Sequence, residues 1–355
     1  MIYYASATYV QPLTLIERER LLPNPGEVTV RRGMDVSAVQ VVARTPQTLE
    51  YSVVPASEIL GLSPADLEAA LLVAVGDNIR EGMPLARRKA LLNHGKLVRS
   101  PVNGTLIDIE RGRLIVQKHT IELELRAMMS SQVAAVFADQ GVLLRTTGAR
   151  IQGIWDSAKE GSGKLKVVTI GPDIVMADEA ISSDMRGLIL VTGKMNKPAL
   201  LTRAESRGVR GIITGSMPAS MMHAAREISI PVLVTDGIGN AQMAPPIFEL
   251  LAQLEEREAT LFSSTTGSPG SRPEVVVPLP SSEAPASDVD YNHPVTPGHR
   301  VRILRAPYAG SVGTVERVFN IGRQTSIGAR VSGADVRLSS GNTVFVPHAN
   351  LDLIV

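Results

Sequence analysis

The stretch Val75–Lys118, VGDNIREGMPLARRKALLNHGKLVRSPVNGTLIDIERGRLIVQK, decides how the first half of the chain is read. Gly76-Asp77 and Asn103-Gly104 are turn dipeptides, and alternating apolar residues flank both. Gly76 and Gly82 suit turns that need positive φ, Pro101 stops an incoming strand, and Gly104 closes the next turn. Short strands joined by tight turns are predicted. An earlier phrase, Pro25–Arg44, echoes this one: Gly33-Met34-Asp35-Val36 lines up with Gly76-Asp77-Asn78-Ile79, and Val42-Ala43 with Leu85-Ala86. The two phrases read as two arms of one β structure. Between them, SPADLEAALLV predicts an inserted helix, with Ser63 as N-cap, Pro64 at the first helical position and Asp66 in the first turn.

Outward from this stretch, Leu13–Leu22 reads as a short helix, and TIELELRAMM alternates as a half-buried strand. Gln132–Trp155 reads as short strands with turns at Gly141, Gly148 and Gly153, and Trp155 as a packing anchor. EGSGKLK (Glu160–Lys166) fails as a phosphate loop, because Ala158 stands where the first Gly is needed and Leu165 replaces the Ser or Thr. It reads instead as a flexible interdomain turn. From Lys166 the period changes. The apolar runs KVVTIG, RGLILVTG, RGIITG, PVLVTDG and ATLFSS, with helix-like segments between the last four, predict a small parallel sheet with helices on its faces. Residues 263–294 are dense in Ser, Pro and acids and read as a disordered linker.

Two resemblances follow from these residues. VGDxIxxGxPLA followed by SPVNGTLIDI resembles the biotinyl/lipoyl-like barrel-sandwich family, and more closely its unmodified members in electron-transport subunits, which are structural or docking elements. Neither Lys89 nor Lys96 sits in a Met-Lys-Met or Asp-Lys setting, so a carried biotin or lipoate is not expected. PGHRVRILRAPYAGSVGTVERV, with Gly298, Val301, Ile303, Pro307, Tyr308, Gly310, Gly313 and Val315, resembles the KOW motif. That likeness implies an SH3-like barrel, closed by NTVFVPHANLDLIV, which binds RNA, ribosome or polymerase.

The fold class expected is α+β and multidomain. It comprises a β-rich barrel-sandwich region at 1–164, a parallel α/β domain at 165–262, the linker at 263–294 and a KOW-like barrel at 295–355. The 355 residues contain no Cys, which excludes disulfides and thiol chemistry, and the net charge of +1 gives no global pull toward nucleic acid. The first residues lack the basic start and apolar core of a signal peptide, and no run reaches the ~20 apolar residues of a membrane helix. A cytoplasmic location without membrane partners is expected.

Candidate site residues fall in two groups. The strand ends Thr192-Gly193, Thr214-Gly215-Ser216 and Thr235-Asp236-Gly237 each precede a helix, where an α/β sheet offers a ligand crevice. Gly193, Lys194, Gly215, Ser216, Asp236 and Gly237 are the candidates there, against a purely structural use of Gly and Thr at strand ends. Asp236 is the only acid at these ends, so paired-carboxylate catalysis lacks a partner. The tail carries seven arginines and three acids, and Arg302, Arg305, Tyr308 and Arg317 are its candidates for a partner or nucleic acid. Tyr308 is the only Tyr or Trp in the tail, which leaves little material for base stacking. The six histidines show no metal spacing, and neither metal nor cofactor is expected. The combined reading is a non-catalytic scaffold or adaptor whose tethered tail docks a protein or ribonucleoprotein, RNA included. The alternative is a small-ligand or enzymatic use of the α/β strand ends.

Overall fold

A computed structural model describes residues 6–46, 50–88, 95–118, 122–265, 271–279, 294–325 and 328–354. The protein is β-rich, with several sheets. Its first part runs β1 (Ser6–Thr8), β2 (Val10–Leu21), β3 (Glu27–Val28), β4 (Asp35–Val36), β5 (Val41–Pro46), β6 (Tyr51–Val54), α1 (Ala56–Leu60) and α2 (Pro64–Leu67). There follow β7 (Asn78–Ile79), β8 (Pro84–Arg87), β9 (Leu97–Arg99), β10 (Gly104–Glu110), β11 (Arg113–Lys118), β12 (Glu122–Arg126), β13 (Ser131–Phe137), β14 (Gly141–Gln152) and β15 (Trp155–Asp156). The middle holds β16 (Gly161–Val167), β17 (Leu188–Lys194), α3 (Pro198–Ser206), β18 (Gly211–Met217), α4 (Met222–Glu227), β19 (Val232–Ile238), α5 (Pro245–Gln253), β20 (Glu258–Phe262) and β21 (Glu274–Pro278). The last part is β22 (Arg300–Ile303), β23 (Val312–Gln324), β24 (Arg330–Leu338), β25 (Thr343–Pro347) and β26 (Leu351–Ile354).

One turn recurs at Gly33, Gly76, Gly82 and Gly298, all with φ between 77° and 98°. Each glycine N–H donates to a carbonyl on a facing segment, that of Val133, Leu106, Ser100 or Val315. The same facing residue returns its own N–H to the carbonyl of Met34, Asp77, Met83 or His299, the residue after the glycine. A left-handed residue closes the turn without strain only when it lacks Cβ. The echo between the two early phrases is therefore a shared turn. The strands they supply build separate sheets, β6-β11-β10-β7 and β12-β5-β3, over separate cores around Leu106 and Val42. Gly104 serves otherwise than expected. It begins β10, where a Cβ would lie 2.1 Å from the Gln117 carbonyl oxygen. The Ser63 cap forms as expected, accepting from the Asp66 N–H at 3.2 Å, but α2 ends after Leu67 and only a 3-10 turn follows.

An eleven-stranded sheet forms the body, in the order β15-β19-β18-β17-β16-β20-β21-β14-β13-β4, with β2 also on β14. β16, β17, β18 and β19 are parallel, as the apolar runs imply, whereas β20 runs antiparallel to β16. Three sequence expectations are overturned here. Leu13–Leu22 is not a helix: Leu13–Leu21 lies within strand β2. Its inward positions include Arg18 and Arg20, which pair with Glu274 and Glu160 at 2.6 and 2.9 Å, so paired charges hide the period of two. EGSGKLK is not a flexible turn but part of β16. Cβ atoms at Gly161 and Gly163 would meet the Arg210 and Gly187 carbonyls at 2.5 and 2.3 Å, so crowding accounts for these glycines.

The third correction concerns the linker. Within 263–294, Glu274–Pro278 is strand β21, hydrogen-bonded between β20 and β14, with Val275, Val276 and Val277 fully buried. Residues 266–270 and 280–293 lie outside the described residues, as does Lys89; Lys96 is exposed. The body sheet therefore continues past both expected boundaries of the α/β domain. Trp155 packs, half-buried, at the β19 edge of this sheet rather than on the front β region. Among the described residues no helix is long and apolar enough to cross a membrane.

The C-terminal strands form a six-stranded sheet, β1-β26-β22-β23-β24-β25, over a core that includes Val301, Val315, Val336 and Leu353. Its first strand comes from the opposite end of the chain: Ser6, Ala7 and Thr8 pair in parallel with Asp352, Leu353 and Ile354. His348 is buried beneath this sheet, and burial lowers its pKa below 6.5, with a hydrogen bond to the Phe319 backbone offsetting part of the effect. The unfolded chain then binds the proton more readily than the native one, so stability falls as pH drops below the ordinary His value. Denaturant titrations between pH 7 and 5 should show this loss, and it should diminish in His348→Gln. An unchanged pH dependence in the variant contradicts the assignment.

Candidate functional site

The strand-end crevice expected at β17, β18 and β19 is largely filled by the chain itself. A Cβ on Gly193 would lie 2.6 Å from the Gly171 carbonyl oxygen, and one on Gly215 would lie 2.6 Å from Met243 Cα and from the Gly193 carbonyl oxygen. The Gly193 N–H donates to Thr169 Oγ1 at 2.9 Å. Lys194 exchanges backbone bonds with the covering segment: its N–H donates to the Ile174 carbonyl at 2.9 Å, and its carbonyl accepts from Met176 N–H at 2.8 Å. Ser216 Oγ donates to the Ala241 carbonyl. Met243 N–H then bonds the Pro172 carbonyl at 2.9 Å and ties the two covering segments together. These glycines admit crossing backbone, which is the structural use of Gly at strand ends.

The remaining pair, Asp236 and Gly237, lies at the end of β19 and faces the C-terminal sheet. Here the structure joins residues from both candidate groups. Arg302 on β22 donates through Nη1 to Asp236 Oδ1 at 2.6 Å and to the Thr235 carbonyl at 3.1 Å. Through Nη2 it donates to Asp352 Oδ2 at 2.7 Å and to Thr8 Oγ1 at 3.0 Å. Thr8 donates to Asp352 at 2.7 Å and also accepts from Arg272 Nη1 at 2.9 Å. Thr235 Oγ1 holds the second Asp236 oxygen at 2.6 Å. Arg302 is 2% exposed, and Nε is buried without a hydrogen-bond partner among the described residues. Burial alone would lower the Arg302 pKa, but the charges of Asp236 and Asp352 outweigh it and hold it above its ordinary value. The guanidinium therefore stays charged, locked between two carboxylates.

Arg302 is thus a latch between the body and the C-terminal sheet, unavailable to any partner. The sequence pointed outward because Val301 and Ile303 flank it as core residues. Its own face is outward only until the end of β19 covers it. Beside the latch lies a cavity of about 350 Å³, lined by Gly237, Ala241, Leu304 and Gly310 among others. The Asp236 side chain is wholly buried, so this cavity offers a ligand mostly backbone and apolar surface.

Neither a protein-family model nor a curated protein matches this chain.

The other tail candidates diverge. Arg305 and Tyr308 are exposed on the loop between β22 and β23, whereas Arg317 is exposed on β23 itself. Arg317 lies 5.9 Å from the ring centre of Phe319, next to a cluster the sequence reading missed. Arg323 covers both Phe319 and Phe345, at 4.7 and 5.0 Å from their ring centres, and the two rings meet edge to face at 6.0 Å. Asp335 anchors Arg323 at 2.9 Å. Gly333 makes room for this arrangement, because a Cβ there would lie 2.7 Å from the Phe345 ring. Phe stacks as Tyr and Trp do, and the cluster's members come from three strands. Among the described residues no group of three His, Asp or Glu side chains could hold a metal ion.

Proposed function

We propose that this protein is a non-catalytic, cytoplasmic adaptor that presents the outer face of β23, β24 and β25 to a protein or ribonucleoprotein partner. The observation that carries this reading is the Arg323 guanidinium stacked on two half-exposed phenylalanines. Stacked arginine and aromatic rings recur at interface hot spots and on single-stranded nucleic acid platforms. Arg302 and the β1–β26 pairing hold this sheet on the body, so the face is preorganised and loses little freedom on binding. This rigid presentation replaces a tethered tail. The alternative use of the β17 and β18 ends finds less support, since the chain's own segments occupy them.

The test uses the full chain, single-stranded oligonucleotides and a lysate with and without nuclease. Phe345→Ala and Arg323→Ala should each weaken partner binding by about tenfold, the loss typical of a hot-spot residue. A nucleic acid partner adds a steep salt dependence, with a log–log slope near −2 for about three phosphate contacts. A protein partner survives nuclease and shows a shallower slope. Binding unchanged in both variants removes this face from the account.

A further inference from the structure

A charged groove of the body lies elsewhere, at the amino ends of β16, β17 and β18, opposite the Ala38–Val39 turn. Its volume is about 690 Å³, and it shares walls at Ala38, Ser162 and Arg186 with a second hollow of about 330 Å³. Cavities of this size accept small molecules. We infer that this groove binds a polyphosphate group, either free or carried by a nucleotide. The inference is independent of the adaptor reading.

Three arginines line the groove: Arg126, Arg186 and Arg210. Arg186 and Arg210 are exposed and form no ion pair with any described residue. Among the described residues Arg126 has only a loose pair, 3.4 Å from Glu124. The strands bring Arg186 and Arg210 together. Gly187 N–H bonds the Gly208 carbonyl at 2.9 Å, and Arg210 N–H bonds the Leu188 carbonyl at 2.7 Å. The Arg186 stem runs beside Gly208, and Arg210 Cβ lies beside Gly163. Gly161, Gly187 and Gly208 contribute backbone to the walls between the cations.

The acids of the groove are already engaged. Arg20, 8% exposed, grips both oxygens of Glu160 from behind, at 2.9 and 3.2 Å. The same Arg20 donates through Nε to the Arg126 carbonyl at 3.0 Å and so fixes the segment that carries Arg126. Glu205 accepts the Ser229 N–H at 2.6 Å; bonding from Ser229 lowers its pKa, so it remains a carboxylate. Counting Arg186 and Arg210 against Glu205, with Glu160 held by Arg20 and Arg126 loosely paired with Glu124, the groove keeps a surplus of about one positive charge. Guanidinium forks bind phosphate oxygens in pairs, and several forks spaced along one groove suit a chain of phosphates better than a single anion.

The test is calorimetry of the full chain with inorganic triphosphate and with ATP, at low and physiological salt. Both should bind, with affinity falling as salt rises. Arg186→Ala and Arg210→Ala should each weaken binding by about tenfold, as loss of a charge-assisted bond does. Both residues are exposed, so the variants keep the fold, which circular dichroism checks. Glu205→Gln should tighten binding severalfold, because it removes a carboxylate that lines the groove. Tighter binding of ATP than of triphosphate assigns the ligand as a nucleotide; equal binding assigns the phosphate chain alone. The inference is overturned if neither compound binds at low salt, or if the Arg186→Ala/Arg210→Ala double variant binds as the parent does. An equal loss in Arg317→Ala, on the distant C-terminal sheet, also overturns it, since binding is then general charge attraction. So does preference for an acidic peptide over triphosphate.

Discussion

Arg302→Ala should destabilise the protein by about 3–5 kcal/mol, because it strands two buried carboxylates with no cation between them. Asp236 and Asp352 have side chains only 0% and 2% exposed, and no rearrangement short of undocking the C-terminal sheet returns them to water. The loss should be local first. β22 and β26 should unfold at lower denaturant than the β16–β19 sheet, which splits one transition into two and is visible by hydrogen exchange. Arg302→Lys should recover little, because a single ammonium cannot reach Asp236, Asp352, Thr8 and the Thr235 carbonyl together. Neutralising all three charges, with Arg302→Met, Asp236→Asn and Asp352→Asn, should recover a large part of the stability. A single cooperative transition unchanged in Arg302→Ala contradicts the latch.

Val276→Asp should cost at least about 4 kcal/mol, in the range reserved for unpaired charges placed in a core. Val276 sits on β21 opposite Thr260 and Arg150, fully buried in the core that also holds Phe262 and Val42. Were the segment a solvated linker, the same substitution would change stability by no more than about 0.5 kcal/mol. Equilibrium denaturation separates these outcomes by a wide margin. Val276→Thr, close in shape, should cost much less than the aspartate while still exceeding a surface change.

What could be read in the sequence was whatever the local chain determines alone. The Ser63 cap, the positive-φ glycines and the apolar runs that become β17, β18 and β19 each depend on a few neighbouring residues. What could not be read depends on partners far away along the chain. Arg18 and Arg20 look solvent-facing until Glu274 and Glu160 arrive from more than a hundred residues on. EVVVP looks like linker because prolines and serines surround it, yet the gap between β14 and β20 needs one apolar strand. Gly193 and Gly215 look like ligand glycines because close approach of backbone and close approach of a ligand demand the same residue. Arg302 looked like a partner residue because the surface that buries it lies 66 residues away, at Asp236. The stacked cluster at Phe319, Arg323 and Phe345 is likewise invisible until three strands align.

The C-terminal sheet is docked on the body through Arg302 and the β1–β26 pairing, rather than tethered to it. A protease site introduced between Pro280 and His293 allows the folded protein to be cut and run on a sizing column without denaturant. The two fragments should elute together, as one species of parental size. In Arg302→Ala the cut fragments should separate. If the uncut-size species is lost on cleavage of the parent, and the C-terminal fragment elutes alone, the docked arrangement is wrong.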